Sequence, residues 1–396
     1  MNPASRIASS DGALGAAAAT PAPADARVAR LIALDWGTSN LRASLLGEGG
    51  RLIERRSAPG GVMAVSDGRF EQALREVCGD WLGQHHVPLI ASGMIGSRQG
   101  WREAPYVACP AAARDLSQCL TTVPLSHGAT LHIVPGLHCI GNDGIDDVMR
   151  GEETQLWGAD LPAVSCAVLP GTHSKWAWTG AAGEIVRFQT YMTGELYGLL
   201  TRHSILGRLM AFGQERPAEF ERGALIGLAE HARLTHIVFA ARTAGLMGRT
   251  EPEGLPDFLS GLLVGAEIGA ALGSGAAAPA HVVLIGEADL CRRYETGLRL
   301  AGVPCSRADE EVTTRGQWRL ACAAGLVRED AQAASRGREG SLASRDVESG
   351  DPEGRGASLP PRASGAQGES AVPRHGPVGA PPAACEASDR TDGGAA

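Results

Sequence analysis

The chain carries 36 basic residues, and one of them is a lysine, Lys175; the other 35 are arginines. A guanidinium is a flat fork of donors, whereas an ammonium is a compact point charge on a flexible stem, so the two are not interchangeable where little space meets phosphate or carboxylate. Lys175 stands in Leu169-Pro170-Gly171-Thr172-His173-Ser174-Lys175-Trp176, where an apolar strand enters a turn. Gly171 lets backbone approach a ligand closely, Thr172 and Ser174 add hydroxyls, and successive N–H groups in such a turn can nest an anion. A related turn, Asp35-Trp36-Gly37-Thr38-Ser39-Asn40, follows the apolar residues 28–34. Alone, an Asp-x-Gly-Thr turn is a common hairpin. Two such tips facing each other across a cleft can hold a triphosphate without a Walker sequence. Asp35 is placed to hold magnesium, partly through water, because that ion takes oxygen ligands and keeps part of its hydration shell.

Four carboxylates cluster in Asp146-Asp147-Val148-Met149-Arg150-Gly151-Glu152-Glu153. Carboxylates at a helix start are ordinarily stabilising, but phosphoryl transfer to a hydroxyl also calls for one that accepts the alcohol proton. Glu152 is the candidate base, with Glu153 and Asp147 behind it. Neighbouring helix residues point about 100° apart, so 152 and 153 should not share one role.

These groups need elements to carry them. Residues 28–34, 41–46 and 51–55 read as antiparallel strands, unlike a Rossmann start, which places a helix after the first turn. A helical stripe over 70–82 leads to buried strands at 88–91 and 131–136, and a helix is expected over 148–159, beginning near Gly151. A second series repeats the opening: strand 164–169, turn 171–174, return 176–179, strand 183–188. Helices over 194–211, 217–231, 256–272, 288–301 and 317–327 and a strand over 281–285 follow. The pattern predicts an α/β protein in two lobes, 29–160 and 161–328, the last helix being free to pack back on the first half.

A chain of 396 residues with 44% hydrophobic content can form a large enzyme. Residues 1–28 and 329–396 are rich in Ala, Gly, Ser and Pro without an aromatic, so burial there cannot offset ordering entropy and both are expected to be disordered extensions. No basic start with an apolar run suggests secretion, and no window approaches the ~20 apolar residues of a membrane span. Nine scattered cysteines without a CxxC pair read as reduced thiols of a cytoplasmic protein. A net charge of −8 offers no broad attraction to nucleic acid and none to a membrane surface. The expected partner is a small molecule, with homo-oligomers left open.

Several runs together resemble the 2-dehydro-3-deoxygalactonokinase family of sugar-acid kinases: Asp35 to Arg42, Ala91-Ser92-Gly93-Met94-Ile95-Gly96-Ser97, Gly100-Trp101 with Pro105-Tyr106, Val148 to Leu156, and Leu169 to Trp176. The Met-Arg-Gly-Glu-Glu-Thr-Gln run is far more specific than a Gly-Thr turn. The resemblance extends through Thr193-Gly194-Glu195-Leu196 and residues 258–267, spanning roughly 30–327. It implies the two-lobed actin/hexokinase-like (ribonuclease H-like) fold with a nucleotide cleft. It also implies magnesium- and ATP-dependent phosphorylation of 2-dehydro-3-deoxy-D-galactonate at O6, in D-galactonate catabolism.

Mapped onto this chain, the resemblance gives Asp35, Glu152 and Lys175 catalytic roles, with Asp35 also serving the metal. Gly37, Thr38, Ser39, Gly171, Thr172, His173 and Ser174 would meet the phosphates, and Gly261, Gly265, Gly286 and Leu290 the nucleotide. Met94, Ser97, Arg98, Trp101, Tyr106 and Glu153 would form the sugar-acid wall, Arg98 being able to pair with the substrate carboxylate. A kinase for another sugar acid, such as the gluconate epimer, shares the same phosphate machinery. A slow ATP-driven switch protein shares the fold. The residues alone leave both open.

Overall fold

The computed structural model describes residues 28–328, apart from Asn142 and residues 275–278. The low-complexity ends expected to be disordered lie outside the described residues. In chain order the first part comprises β1 (Leu31–Trp36), β2 (Asn40–Leu46), β3 (Leu52–Pro59), α1 (Phe70–Gln84), β4 (Leu89–Ser92), β5 (Tyr106–Ala108), α2 (Ala113–Ser117), β6 (Thr121–Pro124), β7 (Thr130–Ile133), β8 (Gly136–Ile140), β9 (Asp146–Met149) and α3 (Glu152–Gly158). The second part comprises β10 (Cys166–Leu169), β11 (Ser174–Thr179), β12 (Ile185–Tyr191), α4 (Thr193–His203), α5 (Pro217–Glu230), α6 (Leu234–Ile237), α7 (Ala240–Leu246), α8 (Leu255–Gly273), β13 (Val282–Leu284), α9 (Ala288–Leu300), β14 (Cys305–Arg307) and α10 (Val312–Ala323).

The strands form a six-stranded sheet of order β3-β2-β1-β4-β7-β6, a five-stranded sheet of order β12-β11-β10-β13-β14, and a small sheet β5-β8-β9. Both large sheets start alike. β1, β2 and β3 pair antiparallel before β1 receives β4 in parallel, just as β10, β11 and β12 pair antiparallel before β10 receives β13. A polar turn can join antiparallel neighbours, whereas each parallel return needs a longer crossover.

The side chains of β1 show why its run is apolar throughout. Leu31 and Ala33 join one buried cluster, while Ile32, Leu34 and Trp36 join another with Phe70, Leu74 and Trp81 of α1. A strand covered on both faces has no polar side. The first cluster continues into the second sheet through Leu169, Ala177, Phe188 and Ile285, so the two sheets share an apolar layer. The strand period of two therefore sends Asp35, in step with Leu31 and Ala33, toward that shared layer, and does the same for Lys175, in step with Ala177.

Two expectations are corrected. The helix expected from 148 begins at Glu152, because Asp146 to Met149 pair with β8 as β9. Asp146 and Asp147 are thus strand residues, not helix caps. Asp146 Oδ1 meets His138 Nε2 at 2.6 Å, and Asp147 accepts from Thr190 N–H and Thr190 Oγ1, both at 2.6 Å, tying β9 to β12. α10, which the sequence left free to pack back on the first half, reaches the first sheet: Gln317 donates from Nε2 to Leu34 O at 2.7 Å and to Ser92 Oγ at 3.0 Å, between β1 and β4.

α8 is long and apolar enough to cross a membrane by composition, and most of it is buried inside the protein. It crosses α5 at very close range. A Cβ on Gly261 would come 2.0 Å from Phe220 O, and one on Gly265 2.2 Å from Ala224 O.

Candidate active site

Three chemical groups chosen from the sequence converge. Lys175, buried in β11, places Nζ 3.3 Å from Glu152 Oε1 at the start of α3 and donates to His173 O at 3.1 Å. The second Glu152 oxygen accepts from Arg150 N–H at 3.1 Å. Asp35 is linked to the same place by two glycines. A Cβ on Gly93, just after β4, would lie 3.6 Å from Asp35 Oδ1, and one on Gly151 would lie 3.1 Å from Gly93 Cα. Gly151 has φ +105° and Gly93 φ +94°, conformations that other residues rarely adopt. The close approach of these two turns sets Glu152 beside the end of β1.

Burial raises the Asp35 carboxyl above its usual range, with Arg42 opposing the shift from 3.2 Å. A carboxylate in that setting favours a cation, and magnesium is commonly held by one or two carboxylates plus water. No cluster of three or more metal-ligating side chains occurs among the described residues. The described residues thus offer no protein cage for a metal, and Asp35 stands as a single carboxylate donor paired with Arg42.

Glu153 does something other than line the sugar-acid wall. It is fully buried, accepts from Gly151 N–H at 2.6 Å and Thr154 Oγ1 at 2.9 Å, and is raised to about 7 by burial and by Glu152 beside it. Its carboxyl holds the Gly151 turn and is closed to a substrate.

The turn tips differ from their sequence reading. Thr38 and Ser39 are exposed beyond the half-buried Gly37, and Thr172 and His173 are exposed beyond the half-buried Gly171. His173 is engaged with Glu195. Ser174 is the first residue of β11 and turns the other way from Lys175: its hydroxyl meets Tyr294 Oη at 2.8 Å. Tyr294 donates to Glu267 Oε2 at 2.6 Å, and Trp176 Nε1 to Glu267 Oε1 at 2.9 Å. Burial raises the Glu267 carboxyl. This buried network, missed in the sequence, fixes the turn from beneath.

Beside that turn lies a cavity of 160 Å³ lined by Gly171, Thr193, Gly194, Ser260, Leu290 and Tyr294, among others. Leu290 lines this cavity, and Gly286 lies beside Pro170, a Cβ there reaching 3.5 Å from Pro170 O. Gly261 and Gly265 do not face the cavity; they serve the α5–α8 crossing, and their neighbours Ser260, Leu263 and Val264 line it instead.

On the proposed sugar-acid wall, Met94 and Trp101 pack against the core cluster of the first sheet. Trp101 stacks on Phe70 with centroids 5.9 Å apart. Arg98 points to solvent, its side chain 84% exposed and paired with Glu103 at 3.0 Å. Ser97 is buried and Tyr106 half-exposed under the Arg150 guanidinium.

The family model for 2-keto-3-deoxy-galactonokinase matches residues 35–320. The chain belongs to this family. It is 38% identical over 275 residues to the 2-dehydro-3-deoxygalactonokinase of Escherichia coli (strain K12), a match covering 69% of this chain and 91% of that protein. A Rhizobium meliloti (strain 1021) relative assigned the same activity is 37% identical over 290 residues, covering 72% of this chain and 93% of that protein. A crystal structure of a Sinorhizobium meliloti protein assigned as a 2-dehydro-3-deoxygalactonokinase superposes with a TM-score of 0.69 at 32% identity, covering 74% of this chain and 98% of that one. The galactonokinase match begins at Asp35 and includes Glu152 and Lys175, so the convergent groups lie inside the region shared with the family. An α/β fold with two large mixed sheets is what carries this site.

Proposed function

We propose that the chain transfers the γ-phosphoryl group of ATP to O6 of 2-dehydro-3-deoxy-D-galactonate, yielding the 6-phosphate and ADP. The observation that carries the reading is the 3.3 Å approach of Glu152 and Lys175, from the two successive series of elements, next to the Asp35 turn. Glu152 accepts the hydroxyl proton as O6 bonds to the γ-phosphorus. The bond from that phosphorus to the β–γ bridging oxygen breaks, and ADP leaves with that oxygen.

Lys175 has three N–H donors. Two are directed at His173 O and Glu152, and the third serves an oxygen of the transferred group. That task suits a slim ammonium in a buried strand better than a guanidinium. Thr38 and Ser39 face the phosphates from one turn and Gly171 and Thr172 from the other. Asp35 would hold magnesium, which neutralises phosphate charge when bound. The 160 Å³ cavity beside Gly171 takes the nucleoside. The two lobes, 29–160 and 161–328, close around the reactants to exclude water, α10 packing with the first. Cys78, Cys109, Cys139, Cys166, Cys291 and Cys305 are free thiols, in keeping with a cytoplasmic site of action.

ADP release with magnesium-ATP across a panel tests the reading: 2-dehydro-3-deoxygalactonate, its gluconate epimer, galactonate, glucose and glycerol. Stimulation strongest with the first supports it. A stronger response to the epimer reassigns the substrate, and no response to any acceptor removes the kinase reading.

A further inference from the structure

Four buried side-chain atoms among the described residues lack a hydrogen-bond partner: Ser97 Oγ, Arg150 Nε, Arg150 Nη1 and Arg187 Nη2. Three of them belong to one place. Gly96 and Ser97 close the turn after β4, and a Cβ on Gly96 would lie 2.9 Å from Arg150 Nη1. Arg150 Nη2 donates to Ala104 O at 2.8 Å, and the guanidinium lies 4.3 Å from the Tyr106 ring centroid. Tyr106 is held in turn against Gly136, where a Cβ would come 2.6 Å from its ring. No ion pair to Arg150 occurs among the described residues.

A part-buried guanidinium with two buried, unmet donors and no counter-charge is costly, because each unmet donor forfeits its water. Resting on the proposed reaction, the substrate has the complementary end: a carboxylate at the opposite end of the molecule from the hydroxyl that takes the phosphate. Arg150 is also bound to the catalytic machinery through its own backbone, since its N–H orients Glu152 Oε2. We infer that Arg150, assisted by Ser97 Oγ, receives the substrate carboxylate, and that Arg98 does not. The acid reaches the guanidinium past Tyr106, a residue that is 43% exposed. One residue then anchors the acid end with its side chain and aims the base with its backbone, which gives the enzyme a physical reason to prefer acids over neutral sugars.

The test is calorimetric titration, without ATP, of 2-dehydro-3-deoxygalactonate and of its neutral primary amide into wild type, Arg150→Gln, Arg150→Lys, Ser97→Ala and Arg98→Gln. The expected result is that wild type prefers acid over amide by about 10- to 100-fold, the range of a charge-assisted hydrogen bond. Arg150→Gln abolishes that preference, Arg150→Lys restores part of it, Ser97→Ala weakens it and Arg98→Gln leaves it intact. If Arg150→Gln fails to fold, the lysine and Ser97 variants decide by the same preference. Full retention of the preference in Arg150→Gln or Arg150→Lys, an equal loss for acid and amide, or no preference in wild type overturns the assignment. Binding and turnover separate the two readings: acid binding that depends on Arg150 without ADP release sinks the kinase reading alone, and ADP release without the preference sinks the Arg150 assignment alone.

Discussion

Replacing Glu153 by glutamine should change how stability depends on pH. Glu153 is fully buried at the start of α3, and its carboxyl is raised from 4.5 to about 7, chiefly by burial and then by Glu152. Between those values the folded protein keeps a proton that the unfolded chain has released. Stability therefore falls as pH rises through that interval and levels off above it. The shift of roughly 2.5 units corresponds to about 3 kcal/mol at 1.36 kcal/mol per unit. Glutamine mimics the protonated acid: its carbonyl accepts from Gly151 N–H while its amide donates to Thr154 Oγ1, and it does not titrate. Urea unfolding of wild type and Glu153→Gln at pH 5 and pH 8 measures the effect. The variant should gain about 3 kcal/mol on wild type between the two conditions. Parallel pH profiles would show that Glu153 is ionised in the fold at neutral pH and would refute the reasoning.

Further outcomes follow from the site and the helices. Glu152→Gln should leave ATP binding intact and lower acceptor-dependent kcat by about 10²- to 10⁴-fold, the usual worth of a general base; retained turnover removes Glu152 from the mechanism. Lys175→Arg keeps the charge but forces a larger head into a 4%-exposed position in β11, so kcat should drop by about 100-fold or more, read in single-turnover assays. Gly261→Ala places a Cβ 2.0 Å from Phe220 O and should destabilise by roughly 1–3 kcal/mol through overpacking, with KM for ATP unchanged. A raised KM at unchanged melting temperature would return Gly261 to the nucleotide site. Asp35→Asn should raise the magnesium concentration needed for half-maximal rate, measured by metal titration at saturating ATP.

Much of the frame could be read from apolar periodicity. The covered strand β1, the stripe of α1 and the repeated strand-turn-strand openings all carry strong patterns, and Asp35, Glu152 and Lys175 were singled out by residue type and turn chemistry. What was hidden depended on partners distant in sequence. β9 is four residues long and pairs only with β8, so Asp146 and Asp147 looked like helix caps. Ser174 and Lys175 are adjacent, and only knowing that β11 begins at Ser174 tells which one faces Glu152 and which one Tyr294. Gly261 and Gly265 carry no local mark separating close helix packing from close ligand approach. Arg150 lay in the most specific motif of the chain, yet its want of a partner is visible only in three dimensions.

The docking of α10 has a bearing on how the polypeptide matures. Gln317 bridges Leu34 and Ser92, and Gly316 packs so closely on α3 that a Cβ would come 1.8 Å from Thr154 O. The first sheet thus receives its last covering piece from residues more than 220 positions downstream of Ser92. During synthesis the amino-terminal strands emerge long before the helix that seals them, so their core stays incomplete on the ribosome until nearly all the described chain has been made. A gene split near residue 160 would leave the first fragment with an open apolar groove that only the second fragment can fill.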